Sequence, residues 1–169
     1  MWKRRTFHEC AEELAILSQD FRDAYTSKSR IDQQSREKIL QESSEKGIEI
    51  LRVLALSIRS EQDFGILPSI RTTVGALNRS TNTSEVSATL NNYRPPYNEK
   101  AGFEPLPLRE ALNKIAHADP HKAGFFADEV IHELILSGSN GSHTWIAIVS
   151  IADLCRAIKS LTDQSVQSV

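Results

Sequence analysis

No run of apolar residues in this chain approaches the roughly 18 that a membrane-spanning helix needs, so a membrane role is not expected. The basic start, Met1 to Thr6, leads into Phe7-His-Glu-Cys-Ala-Glu-Glu rather than an apolar stretch, and no secretory signal is expected. Cysteine is scarce: Cys10 and Cys155 lie far apart and form no CxxC pair. Both are expected to be reduced, buried thiols of a cytoplasmic protein, which leaves the sequons at Asn78, Asn82 and Asn140 without a role. Excess positive charge is also missing. The formal net charge is -2, so nonspecific attraction to nucleic acid has no large cationic field behind it, and any RNA contact must be local or use the groove of an oligomer. No phosphate-binding loop, GxSxG, HExxH or dinucleotide fingerprint occurs. Gly138-Ser-Asn-Gly-Ser142 is rich in glycine, but it lacks the Lys-Ser/Thr of a phosphate loop and leads into a strand, so it reads as a turn.

What remains is ordinary globular material. The 169 residues are 40% hydrophobic and 25% charged, which suits one domain, 1–169, with a real core. Phe7, Cys10, Ala11, Leu14, Leu17, Phe21 and Tyr25 recur at three- and four-residue steps and predict a helix over about 3–27. A second long helix is expected over about 31–61, polar at first and apolar on several sides after Ile48, with Gly47 as a weak point or a site of close packing. Ile70, Val74 and Leu77 suggest a shorter helix over 68–79. Residues 78–105 read as a long connection, stiff at Tyr93-Arg-Pro-Pro-Tyr97, with room for a short helix in 84–91. A helix over 106–118 follows. The apolar runs 130–137 and 143–149 around the Gly/Asn/Ser turn predict a β-hairpin, the second run being the clearer strand. Ser150 with Asp153 reads as a capping box that opens a last helix through Ile151, Leu154, Cys155, Ile158 and Leu161. The expected fold is α+β and helix-dominated: an antiparallel helical bundle with a C-terminal β-hairpin and a closing helix.

Chemistry concentrates on the helix 106–118, where Arg109, Asn113 and His117 stand four residues apart. Each step drifts by about 40° around the helix, so the three form a stripe. Histidine exchanges protons near neutrality, arginine matches phosphate geometry, and an amide can orient a hydroxyl or the imidazole. These are the ingredients of metal-free RNA cleavage, in which the 2′-hydroxyl attacks its own phosphate. The Arg and His backbones stand about 12 Å apart, a span that two such helices paired in a dimer bracket more naturally than one. The alternative is structural: Asn113 and His117 hydrogen-bond the loop beyond the helix, and His117 gains from the helix dipole.

A helix carrying an arginine, a polar residue and a histidine resembles HEPN domains (higher eukaryotes and prokaryotes nucleotide-binding). The resemblance covers 106–118 and, loosely, the long helices before it. It implies a helical bundle that dimerises to form an RNA-cleaving cleft without a metal, in a bacterial defence or toxin–antitoxin setting with an antitoxin or other protein partner. It further implies that Arg109 holds phosphate, Asn113 orients and His117 acts as acid and base. Here seven residues separate Arg109 from His117, a longer spacing than is usual in that family, and Glu110 rather than a polar amide follows the arginine. No cofactor is implied.

Other residues carry two readings each. Arg94 and Tyr97, with Tyr93, can stack RNA bases or pin a loop, and Lys114 joins Arg94 and Tyr97 as an expected substrate-binding residue. His117, Asp119 and His121 have the residue types of a metal site, but Pro120 makes the segment a turn in which Asp119 serves a hydrogen bond, and no metal is expected. His132 and His143 flank the hairpin and could approach each other; Trp145 is expected in the core or between hairpin and helix. A helical scaffold that binds a partner without catalysis is the alternative function.

Overall fold

The computed structural model describes residues 5–27 and 31–167, with side chains in the last helix as far as Leu161. Two helices come first, α1 (Phe7–Thr26) and α2 (Gln33–Asp63). Thr6 and Glu9 satisfy free N–H groups at the start of α1 as a capping box, and Asp32 accepts from the Ser35 N–H at the start of α2. The chain continues through β1 (Thr73–Thr81), α3 (Thr83–Asn92), β2 (Glu104–Pro107), α4 (Leu108–His117), β3 (Gly124–Ala127), β4 (His132–Asn140), β5 (His143–Ser150) and α5 (Ile151–Gln167). The five strands form one antiparallel sheet in the order β2-β1-β5-β4-β3. None of the described helices is long and apolar enough to cross a membrane.

The expected hairpin is therefore present as β4 and β5, closed at Gly141, whose φ of 63° supplies the positive angle such a turn requires. It belongs to a five-stranded sheet, so the helices form layers on that sheet and not the expected bundle. The helix expected over 68–79 is instead β1. A register irregularity between Thr73 and Gly75 allows Val74 and Leu77, three apart, to join the same core, and their spacing imitates a helical period. The connection expected over 78–105 contains the end of β1, the short helix α3 and the start of β2. The helix read as 106–118 begins at Leu108 because 104–107 pair with β1. The capping contact at Ser150 is present, its hydroxyl accepting from the Asp153 N–H at 3.2 Å.

Alternation along the strands sorts the side chains into two cores. Trp145, Ala147 and Val149 join Leu136 and helices α1, α2, α4 and α5, whereas Ile146 and Ile148 join Ile135, Val86 of α3 and Tyr93 on the opposite face. Because both faces are covered, β5 reads as an unbroken apolar run. α4 and α5 lie directly on the sheet; α1 packs on α5 and on α2, and α2 packs on α4. Cys10 and Cys155 are free and buried.

The centre of the sheet is unusually tight at Gly75, where an added Cβ would lie 1.9 Å from the Ile148 carbonyl oxygen. That atom is backbone and cannot rotate away. Gly75→Ala is expected to lower unfolding stability by about 3 kcal/mol, at the upper end of overpacking costs, as read by urea denaturation. A change below about 0.5 kcal/mol would show that the strands separate freely here.

Candidate functional site

Helix α4 starts directly from β2 and buries Leu108, Ala111 and Leu112 completely. Arg109 points to the far end of α2. Its guanidinium donates to the Arg59 carbonyl at 2.8 Å, to Gln62 Oε1 at 3.3 Å and to Asp63 Oδ1 at 2.8 Å. The last turn of α2 has no basic residue of its own, so Arg109 supplies the cation that its C-terminal end favours. Glu110 is drawn the other way, into ion pairs with Arg79 of β1, which also holds Glu104 of β2. Asn113 is half-buried, and among the described residues its side chain makes no hydrogen bond.

His117 is exposed and likewise makes no side-chain hydrogen bond among the described residues, so it does not lock the loop. It lines a small cleft of about 260 Å³ with Asp119, Lys122, Ser139, Thr83 and Thr144. The loop beneath it is fastened by other groups. The Asp119 N–H donates to the Ser137 carbonyl at 2.8 Å, Ser137 Oγ donates to the Lys122 carbonyl at 2.9 Å, and Asp119 Oδ1 accepts from the His121 N–H at 2.9 Å. Asp119 thus makes the turn contact that the sequence suggested. Within one chain the structure brings His117 together with Asp119 and Lys122; Arg109 and Asn113 do not line that cleft.

The three expected substrate-binding residues are dispersed. Lys114 Nζ sits 4.4 Å from the centre of the buried Trp145 ring, a cation–π contact, and burial lowers its pKa. Arg94 donates to the Tyr93 carbonyl and lies over Phe126 on the opposite face of the sheet. Tyr97 donates to Asp153 Oδ2 at 2.8 Å, and burial pushes its hydroxyl up to about 12. Tyr93 is itself buried and donates to the buried Glu133 at 2.8 Å. Through their hydroxyls these tyrosines tie the segment after α3 to β4 and to α5. His132 and His143 begin successive strands of the hairpin and therefore stand at its opposite ends, not side by side.

A larger feature lies where the α1–α2 pair passes over the β3–β4 edge of the sheet. It is a cavity of about 580 Å³, within the usual range for small-molecule sites, and its walls are mostly apolar. Leu17 and Phe21 come from α1, Ile48 and Leu51 from α2, Leu134 and Leu136 from β4. At one end Phe21 stacks on His132, with ring centres 5.0 Å apart and planes 10° apart, and Phe125 meets Phe21 edge-on. His132 Nδ1 lies 2.9 Å from Ser18 Oγ. Burial first, and the neighbouring Arg22 second, push the imidazole down to about 4, so it is neutral at pH 7. A histidine with so low a pKa is a weak general base, and no described carboxylate hydrogen-bonds to it. The pair is suited to recognising a neutral polar group rather than to generating a nucleophile. Ser18 and His132 stand 114 positions apart, and no local pattern marks them as partners.

Comparison of the chain with protein-family models, with curated proteins and with solved structures finds no match in any of the three.

Two outcomes follow for stability. Arg109→Met removes the tie between α4 and α2 and is expected to cost about 1–2 kcal/mol, discounted for the exposed Asp63, whereas His117→Ala should stay within about 0.5 kcal/mol. Urea unfolding that reverses this order would contradict the contacts described. For His132 the sign is fixed by proton binding. The unfolded imidazole takes up a proton near its ordinary 6.5 and the folded one only near 4, so the unfolded state binds more protons between these values. The contribution is complete above pH 6.5 and is lost as pH falls towards 4, by about 3 kcal/mol in total. In His132→Asn that part of the acid dependence should vanish; an unchanged slope of stability between pH 6.5 and 4 would contradict it.

Proposed function

We propose that this chain is a noncatalytic binding module whose ligand occupies the apolar cavity between the α1–α2 pair and the β3–β4 edge. The observation that carries the reading is the cavity itself: about 580 Å³ with mostly apolar walls, beside a single neutral Ser18–His132 pair. A stable domain gains by closing such space, at about 25 cal/mol per Å² of apolar surface removed from water, so an open apolar wall of this size favours an occupant. The engagement of Arg109 by α2 supports the same reading, since a guanidinium held by Asp63 and the Arg59 carbonyl has fewer donors left for a phosphate.

The RNA-directed reading, with the HEPN-like resemblance behind it, is retained as a second proposal on one observation. His117 is exposed beside Lys122 in a cleft lined with hydroxyls, where an imidazole and a cation can meet a phosphate. As a ribonuclease it rests on a homodimer that brings two such clefts or helices together.

One comparison separates the two. Dodecanol at a hundredfold excess over its dissociation constant should stabilise a binding module by about 2.7 kcal/mol, and Ala116→Phe, which fills the cavity, should abolish the gain. No stabilisation of the wild type would contradict the proposal. Cleavage of mixed RNA in EDTA by the wild type, lost in His117→Ala of equal melting temperature, would establish the second reading.

A further inference from the structure

Helix α2 shapes the mouth of the cavity. Ser44, Ile48, Arg52 and Leu56 follow one another at four-residue steps along the rim, with Ser43, Gly47 and Leu51 buried behind them. From Ser44 to Leu56 the rim runs about 18 Å at about 1.5 Å per residue, so the space is a trough rather than a sphere. The opposite lip is smooth and apolar: Ile115 and Ala116 of α4, then Ala118, Pro120 and Ala123 of the loop after it.

Charge enters this trough at one place. Arg52 is the one Lys, Arg, Asp or Glu among the residues that line it, it is exposed, and among the described residues it makes no hydrogen bond or ion pair. Two other arginines of these helices are committed, Arg36 of α2 to the Ala24 and Tyr25 carbonyls and Arg22 of α1 to the Glu129 carbonyl, and Arg59 of α2, whose Nε is buried without a partner among the described residues, does not line the trough. The serines offer little to a ligand, because the Ser43 and Ser44 hydroxyls donate to the Ile39 and Leu40 carbonyls of their own helix. At the other end of the trough stand the rings of Phe21, Phe125 and His132 with the Ser18 hydroxyl, and no charged side chain lines the wall there.

An elongated apolar channel with one uncommitted guanidinium on its rim is complementary to a molecule of the same design: an apolar chain with one anionic end. We propose that the trough binds a single-chain carboxylate amphiphile, its carboxylate on Arg52 and its chain lying beneath Ile48 towards Phe21 and Phe125. The planar guanidinium can hold a carboxylate through two parallel N–H donors, and the chain replaces water along both apolar walls. The inference rests on the proposed reading of the cavity as the ligand site and names what that site selects.

Calorimetric titration with laurate and with dodecanol, both below their aggregation concentrations, tests it. The two probes share a chain and differ in the charge of the head. Wild type should bind laurate about tenfold more tightly than dodecanol, a ratio at the low end for charge-assisted hydrogen bonds at a wet rim. Arg52→Gln should erase that preference and leave dodecanol affinity unchanged; because Arg52 is exposed and uncommitted, the variant should keep the wild-type melting temperature. Equal affinity for both probes in the wild type, or a laurate preference that survives in Arg52→Gln, would overturn the carboxylate assignment while leaving the cavity as a binding site. Absence of binding by both probes would overturn the cavity reading together with the inference.

Discussion

Trp145, Ala147 and Val149 on β5 and Leu134 and Leu136 on β4 face one side of the sheet, and each must be taken out of water by a helix. α4 and α5 do this directly for the centre of the sheet, and α1 and α2 form a second tier on them. The second tier is positioned by ties at its ends: Arg109 fastens α4 to the last turn of α2, and Phe21 of α1 reaches the rings of Phe125 on β3 and His132 on β4. Between these two anchors the cover is incomplete. Leu134 and Ile115 remain half-buried and Ile48 is about half exposed, at 49%, so the trough is a direct consequence of how four helices share one sheet face.

The elements readable from the sequence are those that carry a local pattern of apolar residues long enough to recognise. α1, α2, α4 and α5 present apolar residues at helical steps, and β4 and β5 present apolar runs around a Gly-Ser turn. β1 misleads because its register irregularity puts Val74 and Leu77 in one core three residues apart, the spacing of a helix. β2 and β3 have four residues each and β2 holds Pro105 and Pro107, residues that suit an edge strand but signal a loop when read alone. Residues this short acquire strand structure from their partners, which the local sequence does not contain.

The same division holds for the candidate sites. The Arg109–Asn113–His117 stripe is legible because helical geometry places it, but which groups Arg109 meets depends on where α2 ends, about fifty residues earlier in the chain. The Ser18–His132 pair and Arg52 carry no motif at all; burial, a neighbouring ring and, for Arg52, the lack of a competing partner among the described residues give them meaning. Ordinary residue types at ordinary spacing become a site only once the α1–α2 pair is laid against the β3–β4 edge.

The central claim is that this trough, and not the opposite face of the sheet, is where the protein takes its ligand. Methyl-resolved NMR of leucine-, isoleucine- and valine-labelled protein titrated with dodecanol tests it most directly. Occupancy of the trough predicts the largest shifts at Leu17, Ile48, Ile115 and Leu134, with Val86 and Leu90 of α3, on the opposite face of the sheet, unmoved. Shifts centred on Val86 and Leu90, or no shifts at saturating dodecanol, would contradict it.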